Sequence, residues 1–438
     1  MVLVRAFYIC VAIFYVEILD FYSYLLYNIF YVYIFTKKEV QSVMVNEKMR
    51  GLGARRSVIR ELFEYGRARK AEIGAENVFD FSLGNPSVPS PDAVNETLMR
   101  LISETDPADL HAYTSAQGDA TVRTAIAAYL NETYQADVHA DCLYLTAGAA
   151  ASLTVTLTAI LNAGDEVILL APFFPEYRVF VERTGAKIVP VLSDTKTFQP
   201  DFDALNAAIT EKTAAIIVNS PNNPTGAVLT EENAARLSEL LRRASARVGH
   251  PIYLIADEPY RELVYGDACV PYLTNHYDDT VVCYSFSKSV SLPGERIGYI
   301  LVSPRADRFT ELYQAVCGAG RALGFVCAPS LFQYMIPSIL GKTSDLTVYD
   351  TNRRLLYDAL TEYGFEVVRP DGAFYLFVRV PDGDANAFCE RAKQFELLLV
   401  PSDDFGCKGF VRIAYCVTTA QIERSLPAFR RLAASYGL

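Results

Sequence analysis

The 438-residue sequence has no tryptophan, only four histidines, and no CxxC pair among its nine cysteines. The scattered, odd-numbered cysteines argue against a disulfide framework and favour a reducing compartment. The histidines show neither HxH nor HExxH spacing, so we expect no metal site. The formal net charge of -11 comes without a basic stripe, which argues against nucleic acid as a partner.

The first part of the chain also lacks two residue types. Its first 50 residues contain no glycine and no proline, although the chain has 24 glycines and 21 prolines. Residues 1–35 carry twelve phenylalanines and tyrosines instead. We therefore expect residues 1–43 to be an atypical hydrophobic extension, with the start of the functional protein at Met44 or Met49.

The apolar part of this extension is a poor membrane span. Its uncharged run, Phe21 to Phe35, has 15 residues, whereas a spanning helix needs 18 or more. Extending the run backwards brings in Asp20 and Glu17, each of which costs roughly 2.5–3.5 kcal/mol at the bilayer centre. A signal peptide requires a cleavage site of small residues after its apolar run, and no such site follows here. We expect a cytoplasmic protein; the alternatives are a membrane anchor through residues 1–35, or a segment that binds a partner or joins the core.

The chain is long enough for two domains, and its overall composition, with 51% hydrophobic and 21% charged residues, suits a globular enzyme. Apolar runs predict strands at 142–146, 165–170, 187–191, 214–219, 251–256, 280–285 and 297–302. Helices are predicted between the first five of these, at 149–161, 176–184, 201–209 and 230–247. Continuous apolar strands that alternate with helices indicate an α/β fold, with a mostly parallel sheet covered on both faces.

A smaller α/β domain is predicted at the C-terminal end. Its strands are expected near 366–369, 373–379 and 409–414, and its helices near 384–395 and 419–435. An amphipathic helix at 57–74 is expected to pack on it. The predicted organisation is an extension (1–43), an N-terminal segment packed on the small domain (44–90), a large domain (91–322) and a small C-terminal domain (323–438).

The segment SFSKSVSLPGERIG places Lys288 between hydroxyl groups, after a predicted buried strand. A lysine amine can form a Schiff base with an aldehyde cofactor. Ser285, Ser287 and Arg296 are groups that hold a phosphate. Together they are what an enzyme with pyridoxal phosphate needs. A solvated loop with one lysine and one arginine is the alternative.

Two polar residues follow other predicted strands. Asp257, in IADEPY, lies where ligands sit in open α/β sheets and can pair with a protonated pyridine nitrogen. A helix N-cap is the alternative role of this aspartate. Asn223, in NSPNNPTG, can donate a hydrogen bond to the cofactor's ring hydroxyl oxygen, and an ordinary Asn-Pro turn is the alternative.

Three further segments carry weaker signals. In TAGAA, Gly148 and Ala149 let backbone N–H groups approach a phosphate at a helix N-terminus, although small residues also suit tight packing. Phe174, in PFFPEY, can stack on a ring, although such aromatics are more often core. Arg412, in FVRIAY, falls inside an apolar strand and needs a partner, either a substrate carboxylate or an internal salt bridge.

In their order, the motifs SLGNP, TAGAA, PFFPEY, NNPTG, DEPY, SFSK, PGERIGY and FVRIAY resemble the class I/II aminotransferases of pyridoxal-phosphate fold-type I, of the aspartate/aromatic type. The similarity runs from about Val45 to the C-terminus. It implies a large domain with a mostly parallel seven-stranded sheet and a smaller α/β domain. It also implies pyridoxal 5'-phosphate as cofactor and transfer of an amino group between an L-amino acid and a 2-oxo acid by a ping-pong mechanism.

The resemblance also implies roles for individual residues. Lys288 would be the Schiff-base lysine and proton shuttle, with Asp257 on the pyridine nitrogen and Tyr260 at the ring hydroxyl oxygen. The implied cofactor-binding residues are Lys288, Tyr113, Gly148, Ala149, Phe174, Asn223, Asp257, Tyr260, Ser285 and Arg296. The implied substrate-binding residues are Gly84, Phe174, Asn223 and Arg412.

Tyr113 resembles the tyrosine that reaches the phosphate of the partner subunit, which implies a homodimer with shared active sites. Some aspartate-using relatives carry a lysine just after the glycines of the phosphate segment, where this chain has alanines at 149–151, so a second carboxylate would need another cation, with Arg321 a candidate. A C–S lyase on the same fold would use the same motifs. A non-catalytic regulator would need a DNA-binding module, for which residues 1–56 offer no basic helix-turn-helix.

Overall fold

The computed structural model describes residues 2–40, 45–54 and 58–438. The predicted boundary between residues 43 and 44, and the first residue of the helix predicted at 57–74, lie outside these described residues. The chain divides into two compact units, Met1–Glu61 and Leu62–Leu438. The first unit is built on helices α1 (Val2–Val40) and α2 (Glu47–Ala54).

Helix α1 exposes every side chain that is described in it. Its stretch Val2–Tyr31 is, by length and composition, the one helix of the described residues that is long and apolar enough to cross a membrane. The helix is longer than the uncharged run Phe21 to Phe35, because Glu17 and Asp20 interrupt the apolar character but not the helical backbone. At about 1.5 Å per residue, 30 helical residues extend about 45 Å.

The following helices are α3 (Val58–Ile73), α4 (Asp92–Glu104), α5 (Pro107–Leu110), α6 (Ala120–Tyr134), α7 (Ala149–Ile160), α8 (Glu176–Glu182), α9 (Phe202–Ala208), α10 (Glu231–Val248), α11 (Phe286–Ser289), α12 (Phe309–Leu323), α13 (Ser330–Ile339), α14 (Leu346–Glu362), α15 (Ala385–Lys393) and α16 (Thr419–Ala434). The strands are β1 (Phe79–Asp80), β2 (Leu143–Thr146), β3 (Glu166–Ala171), β4 (Lys187–Leu192), β5 (Thr213–Asn219), β6 (Tyr253–Asp257), β7 (Thr280–Ser285), β8 (Gly298–Val302), β9 (Tyr375–Arg379), β10 (Leu397–Leu398), β11 (Val400–Pro401) and β12 (Phe410–Ala414). Every strand and helix predicted between residues 142 and 302 is present, within two residues of its predicted bounds.

The central sheet has seven strands in the order β2-β8-β7-β6-β5-β3-β4. Strands β4, β3, β5, β6 and β7 are parallel to one another, and β8 is antiparallel to both β2 and β7. Both faces are covered, since successive residues such as Ile216 and Ile217 pack into two different hydrophobic cores. The predicted α/β fold with a mostly parallel seven-stranded sheet is confirmed.

The C-terminal part holds a three-stranded antiparallel sheet of β11, β12 and β9. Strands β1 and β10 form a separate parallel pair. The strand predicted at 366–369 is wrong: only Val367 forms an isolated bridge, to Val378, so this apolar run has no ladder. Helix α3 contacts this part through the Arg69–Glu396 ion pair, at 2.6 Å. The domain limits at 90 and 322 stay predictions.

Candidate active site

Three polar residues end three adjacent strands of the central sheet. Asn219 ends β5, Asp257 ends β6 and Ser285 ends β7. Asn219 pairs with Asp257 in the strand register, because parallel strands bring their carboxyl ends to one edge. The segment after β5 carries Asn223, and α11 after β7 carries Lys288. Local strand patterns therefore place these predicted site residues together.

Asp257 is a buried carboxyl group with one oxygen left over. Its side chain is 4% exposed, and its Oδ2 accepts hydrogen bonds from the Tyr177 hydroxyl and, at 3.5 Å, from Asn219 Nδ2. Its Oδ1 has no partner among the described residues. Burial raises the pKa of Asp257 to about 7, although the Tyr177 hydrogen bond opposes the shift. A cationic N–H group at Oδ1 would satisfy the free oxygen and hold the carboxylate in its charged form.

Lys288 is held with its amine against the backbone of a distant segment. Its Nζ donates a hydrogen bond to the Gly84 carbonyl oxygen over 2.6 Å and lies 5.6 Å from the centre of the Phe374 ring. Burial, helped by the positive charges of Arg412 and Arg296, lowers the pKa of Lys288 to about 8. A larger fraction of this amine is therefore neutral near pH 7 than of an ordinary lysine, and the neutral amine is the nucleophile.

An anion cradle is formed beside Lys288. Gly148 precedes the 12-residue helix α7, which has no acidic side chain in its first turn, and Ala149 is its first residue. Gly148 has φ +84°, and a Cβ there would lie 3.2 Å from Nη2 of Arg296. The exposed Arg296 has no carboxylate partner among the described residues. Ser285 contributes a hydroxyl, 2.7 Å from that of Ser287. A helix N-terminus, a guanidinium group and hydroxyls are the groups that bind a phosphate.

Arg412 is a buried cation that lacks an anion. It is 2% exposed on β12, and Nη1 donates to Asn223 Oδ1 over 3.1 Å. Its guanidinium carbon lies 4.8 Å from the centre of the Tyr375 ring. Its Nε has no hydrogen-bond partner, and no carboxylate of the described ranges forms an ion pair with it. The internal salt bridge considered from sequence is therefore not observed, and a buried arginine in this state suits an incoming carboxylate.

The segment Ser82–Gly84 connects these cations. Its three successive carbonyl oxygens accept hydrogen bonds from Arg412 Nη2, from Cys416 Sγ at 3.5 Å, and from Lys288 Nζ. The predicted carboxylate-binding arginine and the predicted catalytic amine therefore meet at one short stretch of backbone. Sequence spacing gave no sign of the cysteine contact.

Two predicted site residues make no described contact with Lys288, Asp257 or Arg412. Phe174 is half-buried and packs edge-to-face on Tyr177, with ring centres 5.7 Å apart. Tyr113 is 95% exposed and has no described contact with the site residues of its own chain. Phe174 thus packs against the core around Tyr177, whereas the exposed Tyr113 is available to a ligand or a second subunit.

Three residues of the site were not assigned a role from sequence. Tyr177 and Asn219 hold Asp257, and Tyr375 pairs its hydroxyl with that of Tyr260 over 2.9 Å. Tyr177 and Asn219 fall within quoted motifs, but a motif does not say which distant atom a side chain will reach. The GAFY stretch that contains Tyr375 gave no signal beyond an apolar strand.

These groups fit pyridoxal phosphate. The free Oδ1 of Asp257 suits a protonated ring nitrogen, the cradle at Gly148 and Arg296 suits the phosphate, and Lys288 suits the aldehyde. Asp257 ends β6 and Lys288 follows the adjacent strand β7, so one edge of the sheet carries both a buried carboxyl oxygen without a described partner and an amine of lowered pKa.

Comparison with known proteins agrees with this fit. The family model for aminotransferase class I and II matches residues 76–429. An aspartate aminotransferase of Thermotoga maritima is 30% identical, over 80% of this chain and 90% of the relative. A crystal structure of an aminotransferase from Eubacterium rectale is 54% identical with a TM-score of 0.89, over 90% of this chain and all of that one. The Thermus thermophilus aspartate aminotransferase solved with maleate is 25% identical with a TM-score of 0.78, over 89% of this chain and all of that one.

The predicted family, fold type and cofactor are thereby confirmed. The chain belongs to the class I and II aminotransferases, pyridoxal-phosphate enzymes that transfer an amino group between an amino acid and a 2-oxo acid.

Proposed function

We propose that this aminotransferase works through Lys288 as the proton-transferring amine, Asp257 as the partner of the cofactor ring nitrogen, and Arg412 as the anchor of the substrate α-carboxylate. The observation that carries the proposal is the meeting of Lys288 and Arg412 at Ser82–Gly84. If the carboxylate of an amino acid pairs with Arg412, the α-carbon of that amino acid lies near Lys288 Nζ. Their shared contact segment supports the proposal that both groups act on one substrate.

Bound pyridoxal phosphate supplies an electron sink for the charge that develops at the substrate α-carbon. Asp257 holds the proton on the ring nitrogen, because its carboxylate is buried and has a free oxygen. Lys288 Nζ would take the α-proton of the substrate and would return a proton to the carbon of the cofactor's former aldehyde group. Arg412 keeps the carboxylate fixed, so the α-hydrogen stays aimed at Nζ.

The remaining residues hold and orient the cofactor. Gly148, Ala149, Ser285 and Arg296 bind its phosphate, and Phe174 packs on its ring. Tyr260 and Asn223 contact the ring hydroxyl oxygen. The Oδ1 of Asn223 is taken by Arg412, which leaves its Nδ2 as the donor for that oxygen. Gly84 lies beside Arg412 and Asn223 at the substrate.

The assembly proposed is a homodimer in which Tyr113 reaches the phosphate bound by the partner subunit. The exposure of this tyrosine, at 95%, supports the proposal, because its side chain is available to contact a second subunit and tyrosine is enriched at interfaces. We also propose that the enzyme acts in the cytoplasm and that residues 1–43 take no part in catalysis.

The amino donor is tested with a panel of L-amino acids. Arg321, the candidate for a second carboxylate, is exposed in the last turn of α12. Aspartate is therefore tested beside aromatic and aliphatic donors, each scored by the loss of the visible absorbance of the bound cofactor. We expect at least one donor to bleach it, a 2-oxo acid to be released, and a second 2-oxo acid to restore it. Release of ammonia and pyruvate from a cysteine thioether, without such recovery, would instead identify a C–S lyase.

A further inference from the structure

We propose that Tyr375 is a positioning residue that links the substrate-carboxylate site to the ring-hydroxyl site, by orienting the Tyr260 hydroxyl and supporting the Arg412 guanidinium group. This inference rests on the roles proposed above for Tyr260 and Arg412. Tyr375 is the first residue of β9 and is 2% exposed.

The first observation is a closed pair of hydroxyl groups. The oxygens of Tyr375 and Tyr260 are 2.9 Å apart, and the rings meet edge-to-face at 5.8 Å. No other described residue forms a hydrogen bond with either hydroxyl. Burial raises the pKa of Tyr375 to about 12 and that of Tyr260 well above its ordinary value, so both hydroxyls keep their protons near neutral pH.

The two hydroxyl groups carry two protons, and the hydrogen bond between them uses one. The other proton can therefore point towards a third group. If Tyr375 donates to Tyr260, the Tyr260 O–H is free to donate to a third group, and the Tyr375 hydroxyl fixes the direction in which it points. This arrangement suits Tyr260 as a donor to the ring oxygen of the cofactor. Without Tyr375, the Tyr260 hydroxyl loses its donor and can rotate.

The second observation is the position of the Tyr375 ring. The Arg412 guanidinium carbon lies 4.8 Å from its centre, within the range of a cation–π contact. A Cβ at Gly84 would lie 2.0 Å from the Tyr375 hydroxyl oxygen, so this hydroxyl requires glycine there. Tyr375 therefore touches Tyr260, Arg412 and Gly84, the residues proposed for both halves of the site.

The test measures the absorbance of the bound cofactor as a function of pH. This absorbance changes when the nitrogen that joins the cofactor to Lys288 gains a proton. A donor at the ring oxygen stabilises negative charge there and lowers the pH of this transition. Tyr260→Phe should therefore raise the midpoint. Tyr375→Phe should raise it by a smaller amount, about half a pH unit, because it weakens one neutral hydrogen bond indirectly. The double variant should match Tyr260→Phe, since Tyr375 acts through Tyr260.

Tyr415→Phe is the matched control. Tyr415 is also fully buried in this part of the chain, but its hydroxyl donates to the backbone carbonyl of Ala373 over 3.2 Å. Its loss should lower the melting temperature without moving the absorbance midpoint. Tyr375→Leu, which also removes the ring beneath Arg412, should raise the substrate KM roughly tenfold, whereas Tyr375→Phe should not.

The outcomes distinguish a failure of the role proposed for Tyr260 from a failure of the positioning role proposed for Tyr375. An unchanged midpoint in Tyr260→Phe contradicts the role of Tyr260 and the inference with it. A shift in Tyr260→Phe with none in Tyr375→Phe, or a double variant in which the shifts add, overturns the positioning role of Tyr375 alone. An unchanged KM in Tyr375→Leu overturns the support of Arg412.

Discussion

Lys288 and Gly84 are 204 positions apart in the sequence, and Lys288 Nζ donates a hydrogen bond to the Gly84 carbonyl oxygen over 2.6 Å. This contact ties the end of the central sheet to the segment that precedes α4. It also gives the buried amine a hydrogen-bond acceptor. The same segment binds Arg412, so the position of the amine and that of the carboxylate anchor depend on one piece of backbone.

Replacement of Arg412 by lysine should weaken substrate binding more than cofactor binding. Lysine keeps the charge but loses the planar fork that a carboxylate accepts. A hydrogen bond to a charged group is worth about 1.5–3 kcal/mol, so KM should rise about 10- to 100-fold in steady-state assays. The affinity for pyridoxal phosphate should change little.

The control for this variant is Arg379→Lys. Arg379 lies on the adjacent strand β9, 4.5 Å from the centre of the Phe410 ring, and pairs with the exposed Glu366. Its replacement should leave KM unchanged. An unchanged KM in Arg412→Lys, or an equal loss of affinity for substrate and cofactor, would show that Arg412 is structural.

The stability of the cofactor-free protein should report the raised pKa of Asp257. The carboxyl group keeps its proton in the folded state up to a pKa of about 7, whereas the unfolded chain loses it near 3.8. Because the folded state binds more protons in this window, the group destabilises the fold progressively as pH rises from about 4 to about 7.

Asp257→Asn removes this titration. The wild-type protein should therefore lose stability relative to Asp257→Asn across that window, by about 4 kcal/mol in total, and the difference should level off above pH 7. Denaturant unfolding of both proteins at several pH values measures it. A difference that is constant with pH, or that changes in the opposite direction, would refute the buried, raised carboxyl group.

Tyr113 should act across a subunit interface. Tyr113→Ala and Lys288→Ala homodimers should each be inactive or nearly so. After subunit exchange, a mixed dimer has one site that combines an intact Lys288 with the partner subunit's Tyr113, so part of the activity should return. A monomer on size-exclusion chromatography, or no recovery after exchange has been demonstrated, would contradict the shared site.

Residues 1–43 should be dispensable for activity. The matching region of the family starts at residue 76, and the Eubacterium rectale structure is covered completely by 90% of this chain. A variant that begins at Met44 should be soluble and dimeric, with the kcat of the full chain. Loss of activity or folding in this variant, or full-length protein that sediments with membranes from the source cell, would reverse this expectation.

The strands of the central sheet and the helices between them were predictable from local sequence. Each strand is a continuous apolar run, and each helix repeats its apolar residues with the period of a helix. The short strands β10 and β11 were not predicted, since each has only two residues, and β10 pairs with β1, which is distant in the sequence. The prediction of a strand at 366–369 was wrong for a related reason, because an apolar run without a neighbouring strand forms no ladder.

The site was predictable where a residue type implies its chemistry, as a lysine among hydroxyls or an arginine in an apolar strand does. Its supporting contacts were not, because they join residues far apart in sequence. Tyr177 reaches Asp257 across 80 positions, and Tyr375 reaches Tyr260 across 115. Hydroxyl groups have many possible partners, so only the packed structure selects one.

The most direct test of the account is to locate the covalent bond to the cofactor. Borohydride reduction of the holoenzyme, followed by peptide mass spectrometry, should find pyridoxal phosphate on Lys288. Lys288→Ala should remain folded, form no reducible adduct and show no transamination. A reduced cofactor on another lysine, or turnover by the folded Lys288→Ala protein, would contradict the central claim.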